Sequence, residues 1–234
     1  NNWRIIILRQ YRQHKFSVPE GATDIYLVRH GESRAAIEGE LFPLVNGQGD
    51  PELSSEGRTQ ALAVAEKLAS FPIDAVYVTN LRRTLETATP LCKRLGLDPI
   101  EEPDLREVHL GDWEGGVFRA KAFENDPLYQ KMQEQQRWDV IPNAESSESL
   151  KLRIGSALSR LIKENPGKLV VAVVHGGVIG HILSEASQSR PFAFSGSDNG
   201  SISRIVSIEG KLILRAFNQT DHLQSVASES HLPT

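Results

Sequence analysis

Twice in this chain of 234 residues a run of apolar, β-favouring residues stops at a histidine followed by glycine. Ile25, Tyr26, Leu27 and Val28 lead into Arg29-His30-Gly31, and the run from Leu169 to Val174 leads into His175-Gly176-Gly177. A continuous apolar run bounded in this way reads as a strand buried on both faces, the kind found in parallel sheets covered by helices. Open sheets of that type place ligands at the carboxyl ends of their strands. The repeated pattern therefore predicts a buried sheet that brings a cation and two imidazoles to one rim.

The rest of the chain supplies that sheet with partners. Ser54 can cap a helix with Glu56 in its first turn and Ala61, Leu62, Ala65, Leu68 and Ala69 on one face, before Phe71 and Pro72 stop it. A strand over residues 75–78 precedes a helical pattern over 81–95 that ends at Gly96, with Pro90 expected to kink it or restart it at Thr89. A polar helix is expected over 126–137. A clearer one starts at Ser146 or Ser147, with Leu150, Ile154, Ala157, Leu158, Leu161 and Ile162 facing the core. Helical periodicity resumes over 178–186, and two strands, 202–208 and 212–217, form a hairpin through Glu209-Gly210. This alternation predicts an α/β fold: a mostly parallel sheet with helices on both faces, and a C-terminal hairpin extending one edge. One domain over 24–223 is expected, preceded by an arm or edge strand (1–23, with a basic stretch around Arg12, His14 and Lys15) and followed by a disordered tail (224–234). The long loop 34–53, with Pro43, Gly47, Gly49 and Pro51, is expected to border the site.

Composition narrows the function classes. A hydrophobic share of 39% and a charged share of 24% are those of a soluble globular chain, and no apolar run reaches the roughly 20 residues of a membrane span. A net charge of -4 with interspersed signs argues against nucleic acid as a partner, while leaving room for a local pocket that binds a small anion. The single cysteine, Cys92, excludes an internal disulfide and reads as a core thiol, which fits a cytoplasmic compartment. No signal peptide is expected.

The predicted rim gathers Arg29, His30, Arg82 or Arg83, and His175. Two arginines and two histidines near helix N-termini make a concentrated anion site, with phosphate as the obvious ligand, and glycines at 31, 176 and 177 let backbone approach it. Glu107 adds chemistry to binding, because a carboxyl group beside a phosphate monoester can protonate the leaving alkoxide and later take a proton from water. His30 can then act as nucleophile if one ring nitrogen is held by an acceptor, with the arginines and a protonated His175 stabilising the transferring group.

Five stretches also carry a family resemblance: Leu27 to Glu32, Asp50 to Ala61, Leu81 to Ala88, Leu105 to Gly115, and Val174 to Gly177. In this order they resemble the histidine phosphatase superfamily, or phosphoglycerate mutase-like proteins, from about residue 24 to 223. The resemblance implies that His30 is the phosphorylated nucleophile, that Arg29 and His175 bind phosphate, that Glu107 is the acid, and that Arg83 rather than Arg82 is the second arginine. Gly31, Ser33 and Gly176 are expected as further substrate contacts. Many members carry an Asn shortly after the first motif, where this chain has Ala35 and Ala36, so one phosphate contact is either missing or supplied from the long loop, by Asn46 or Gln48. Relatives often have Gly-Glu-Ser where this chain has Ala144-Glu145-Ser146.

Within the resemblance, mutases carry a longer segment between the acid and the second histidine, so the short one from Glu107 to His175 implies a phosphatase, and no second cationic cluster is set aside for another phosphate. A non-catalytic phospholigand-binding protein on the same fold is the alternative from another class, and a histidine–carboxylate metal site is a third, without supporting ligand spacing. No cofactor or metal is expected, the partner is a small phosphorylated substrate, and a homodimer is left open.

Overall fold

The computed structural model describes residues 10–223. In chain order the elements are β1 (Thr23–Arg29), the two-residue strands β2 (Leu44–Val45) and β3 (Gln48–Gly49), α1 (Ser55–Leu68), β4 (Ala75–Val78), α2 (Arg82–Leu95), β5 (Ile100–Glu101), α3 (Val117–Phe123), α4 (Pro127–Gln135), α5 (Ser147–Glu164), β6 (Leu169–Val174), α6 (Gly176–Ser187), β7 (Ile202–Ile208) and β8 (Lys211–Gln219). Six strands form one sheet in the order β5-β4-β6-β1-β7-β8. β1, β4, β5 and β6 run parallel, and the β7–β8 hairpin adds two antiparallel strands beside β1. This is the expected α/β architecture.

The period of two along each strand explains why both faces are covered. Ile25 and Leu27 of β1, with Val170, Ala172 and Val174 of β6, pack against α5 and α6. Tyr26 and Val28, with Val171 and Val173, pack against α1 and α2 on the opposite face. A strand whose every side chain meets a helix has to be apolar throughout, which is why these runs do not alternate with polar residues. The helices begin where their caps allow: Ser54 Oγ accepts from the Gly57 N–H at 3.0 Å and Ser146 Oγ from the Ser149 N–H at 3.1 Å. Each such cap stabilises its helix by about 1 kcal/mol.

Two local expectations change, and a third is described only in part. Pro90 neither ends nor restarts its helix, since α2 continues through it. Ala88, Leu91 and Cys92 around it are buried against the sheet, which offsets the roughly 3 kcal/mol penalty of an internal proline. The loop 34–53 contains the small hairpin β2–β3, turned by Asn46 and Gly47 with φ of 49° and 80°, a left-handed pair that Asn-Gly favours. Residues 10–22 form no strand, so the described part of the N-terminal segment is an exposed arm, touching the hairpin where the Arg215 guanidinium lies 3.7 Å over the Phe16 ring. The apolar run at residues 5–8 and the tail 224–234 lie outside the described residues. No helix among the described residues is long and apolar enough to cross a membrane.

Candidate active site

Three parallel strands, β1, β4 and β6, end at the same rim, each delivering polar residues. β1 ends in Arg29 and His30. β4 ends at Thr79, whose chain turns into α2 with Arg83 on its buried face, while Arg82 lies on the exposed face paired with Glu86 at 3.0 Å. β6 ends at His175, the N-cap of α6. The rings of His30 and His175 stand 5.2 Å apart, centroid to centroid. Beside them opens a cavity of about 220 Å³ lined among others by Arg29, His30, Gln48, Arg83, Glu107 and Arg119.

Hydrogen bonds orient the first histidine. His30 Nδ1 lies 2.7 Å from the Gly31 carbonyl oxygen, which can only accept, so Nδ1 carries the proton. Nε2 is then a lone pair, and it accepts from Arg83 Nε at 3.2 Å. Arg83 is itself held by donating from Nη1 to the Gly49 carbonyl at 2.9 Å. Burial, then the Arg83 and Arg29 charges, hold the His30 pKa well below the ordinary imidazole value. The ring is neutral at neutral pH, as a nucleophile requires.

His175 is fully buried, with Nε2 3.0 Å from Thr79 Oγ1. Its Nδ1 has no hydrogen-bond partner among the described residues, and neither has Arg29 Nε. Two buried polar nitrogens at the edge of one cationic cavity are a site shaped for an acceptor ligand. Burial, then Arg83 and His30, push the His175 pKa well below its ordinary value, so this ring is neutral too. This direction runs against the expected imidazolium, because burial beside guanidinium groups disfavours a further cation.

Glu107 reaches the cavity from an irregular segment. Its Oε1 accepts from the Val108 N–H at 2.9 Å and its Oε2 from the Gly177 N–H, at the start of α6, at 3.3 Å. A Cβ on Gly177 would lie 2.6 Å from Oε1, so only glycine lets the helix come this near the carboxylate.

The other expected contacts divide. Gly176 lies against the Arg29 guanidinium, 3.4 Å from Nε to a Cβ built on the glycine. Gln48 lines the cavity, but its Nε2 donates to the Glu107 carbonyl at 2.7 Å. Asn46 sits in the exposed tip of the β2–β3 hairpin and is not brought to the cavity, because its left-handed backbone serves the turn. Gly31 approaches backbone rather than ligand: a Cβ there would lie 2.4 Å from the Gly57 carbonyl of α1. Ser33 Oγ accepts from Arg119 Nη2 at 2.7 Å.

Arg119 itself was not anticipated. It projects from α3, donates from Nη1 to the Arg34 carbonyl at 2.7 Å, and adds a third guanidinium to the cavity wall. Thr79 was also missed, as was Asn199, whose side chain donates to the His30 carbonyl at 3.0 Å. Only the Asn46-Gly47 hairpin had a recognisable sequence signal.

Buried guanidinium groups, a neutral imidazole presenting a lone pair and a carboxyl group around one small cavity are groups that can serve phosphoryl transfer. Comparison with known proteins agrees. Residues 25–220 match the model of the histidine phosphatase superfamily (branch 1). The chain is 31% identical over 226 residues to the metal-independent phosphoserine phosphatase of Arabidopsis thaliana, covering 92% of this chain and 91% of that one. It is 38% identical over 170 residues to phosphoglycerate mutase-like protein 4 of the same plant, 71% of this chain and 72% of the relative. A mycobacterial glucosyl-3-phosphoglycerate phosphatase superposes with a TM-score of 0.71 at 27% identity, over 84% of this chain and 99% of that structure. The chain belongs to the histidine phosphatase superfamily and carries phosphatase function.

Proposed function

We propose that the protein hydrolyses phosphate monoesters by passing the phosphoryl group through His30 to water. The observation that carries this reading is the tautomer imposed on His30, with Nδ1 held at 2.7 Å by the Gly31 carbonyl and Nε2 left as a lone pair in the cavity. Nε2 attacks phosphorus while the ester P–O bond breaks, and the Glu107 carboxyl proton passes to the departing oxygen. In the second half, the Glu107 carboxylate takes a proton from water, the water oxygen attacks phosphorus, and the P–N bond electrons return to Nε2.

Arg29 and Arg83 neutralise the phosphoryl oxygens. His175 donates from Nδ1 as a neutral ring, a role supported by the Thr79 hydroxyl 3.0 Å from Nε2, which can donate to that nitrogen. Arg119 supports a leaving alcohol that bears an anionic group, as in phosphoserine, the substrate named for the Arabidopsis relative. The chemistry needs no metal, and among the described residues no three His, Cys, Asp or Glu side chains are grouped to hold one.

The test is turnover of phenyl phosphate with and without chelator, with acid-quenched capture of the phosphorylated protein. Wild type should release inorganic phosphate unaffected by chelator and form an acid-labile adduct. His30→Ala should lose at least about a thousandfold in rate and form no adduct. Equal rates in the two proteins would sink the mechanism.

A further inference from the structure

Glu107 has to deliver a proton to one oxygen, yet it sits on a segment with no helix or strand to fix it. What holds that segment comes from behind. Arg153 of α5, outside the cavity, pairs with Glu145, and their side chains are only 9% and 7% exposed. Arg153 Nε donates to Glu145 Oε1 at 2.7 Å and Nη2 to Oε2 at 2.8 Å. Nη1 donates to the carbonyls of Asp104 at 2.7 Å and Arg106 at 2.9 Å, and Nη2 also to the Glu107 carbonyl at 3.1 Å. A guanidinium has five N–H donors, and here each meets an acceptor. Glu145 completes the clamp: its backbone N–H donates to the His109 carbonyl at 2.9 Å and its Oε2 accepts from the His109 N–H at 3.3 Å. From the cavity side Gln48 grips the same Glu107 carbonyl.

We infer that Arg153, locked to Glu145, is a positioning residue for the acid: it fixes the main chain of Glu107 so that the carboxyl group meets the leaving oxygen. This rests on Glu107 acting as the acid. The buried pair adds little net stability against an apolar replacement, but it supplies directed bonds to the carbonyls of Asp104, Arg106 and Glu107, which apolar side chains cannot. A misplacement of about 1 Å in such a group lowers a rate on the order of a hundredfold.

The experiment reads dependence on the leaving group. Values of kcat/KM, which stop at departure of the alcohol, are compared for dinitrophenyl phosphate, whose phenoxide leaves without a proton, and phenyl phosphate, which needs one. Glu107→Gln is the reference and should lose far more on phenyl than on dinitrophenyl phosphate. Arg153→Lys, with three donors in place of five, should show the same selective loss, about 10- to 100-fold greater on phenyl phosphate. Glu145→Gln, which weakens the hold on the Arg153 guanidinium, should repeat the pattern more weakly, and it decides the matter if Arg153→Lys does not fold. Equal losses on both esters, or no loss on either, would overturn the positioning role while Glu107→Gln remains selective. Absence of selectivity in Glu107→Gln would instead remove the acid assignment itself.

Discussion

His30 and His175 leave neighbouring parallel strands at one rim, their rings 5.2 Å apart, and each is followed by glycine. The local sequences are alike, and the hydrogen bonds are not. At His30 a backbone carbonyl takes the Nδ1 proton and Arg83 faces the Nε2 lone pair. At His175 a threonine hydroxyl meets Nε2, and Nδ1 is the nitrogen without a partner among the described residues. The glycines differ as well, since Gly31 makes room for the backbone of α1 and Gly177 for the Glu107 carboxylate. A strand–histidine–glycine end is thus a mount whose chemistry is set by whatever holds the other ring nitrogen.

Asparagine at each position sharpens this contrast most. His30→Asn should abolish turnover, because a carboxamide is no nucleophile. His175→Ala should lower kcat by about 100- to 1,000-fold, as for a lost donor to the transferring group, and His175→Asn, with a neutral amide near the Nδ1 position, should recover at least about tenfold of that. Steady-state kinetics with phenyl phosphate checks both, and equal residual rates in the two asparagine variants would break the division of roles.

The glycines should separate stability from rate. Gly31→Ala sets a Cβ against immovable backbone and should destabilise the fold by about 1–3 kcal/mol in urea unfolding. Gly177→Ala meets the Glu107 carboxylate, which can swing away, and the buried Val108 Cγ2 methyl at 2.9 Å, so kcat should fall about tenfold to a hundredfold with a smaller loss in the unfolding midpoint than Gly31→Ala shows. Swapped outcomes would mean that the close approach at Gly177 is a packing feature.

The smallest effect is on pH dependence of stability. Both rings have pKa values held well below the ordinary 6.5, chiefly by burial. The unfolded chain gains these protons as pH falls through that value and the folded chain does not, so their contribution is complete above it and is lost as pH decreases. The urea midpoint should be level above about pH 7.5 and fall between about 6.5 and 5, before depressed carboxylates such as Glu145 titrate. His181 and His222 shift in the same direction, so the decisive comparison is with His175→Asn, whose slope should be shallower. Identical slopes would deny His175 a neutral, buried state.

Much of this was legible in the residues. The apolar runs, the Ser54 and Ser146 caps and the Glu209-Gly210 hairpin are local signals, and the structure follows them. Arg83 was separable from Arg82 only through the family motif, and in the structure Arg83 is buried at the cavity while Arg82 is exposed. Arg119 left no trace because α3 buries none of its residues, so its short sequence has no apolar face to read. Asn46 misled because an Asn-Gly pair suits a hairpin turn better than it suits a ligand site.

By itself the sequence determined which strands are buried and that arginine, histidine and glycine follow them, since side-chain period and turn chemistry act within a few residues. Only the tertiary structure decided what each group does. The partner of His30 Nε2 lies 53 residues away, that of His175 Nε2 96 residues away, and that of the Glu107 carboxylate 70 residues away. Tautomer, protonation and aim depend on hydrogen bonds and burial across such separations, and these exist only once the sheet has brought the strand ends together.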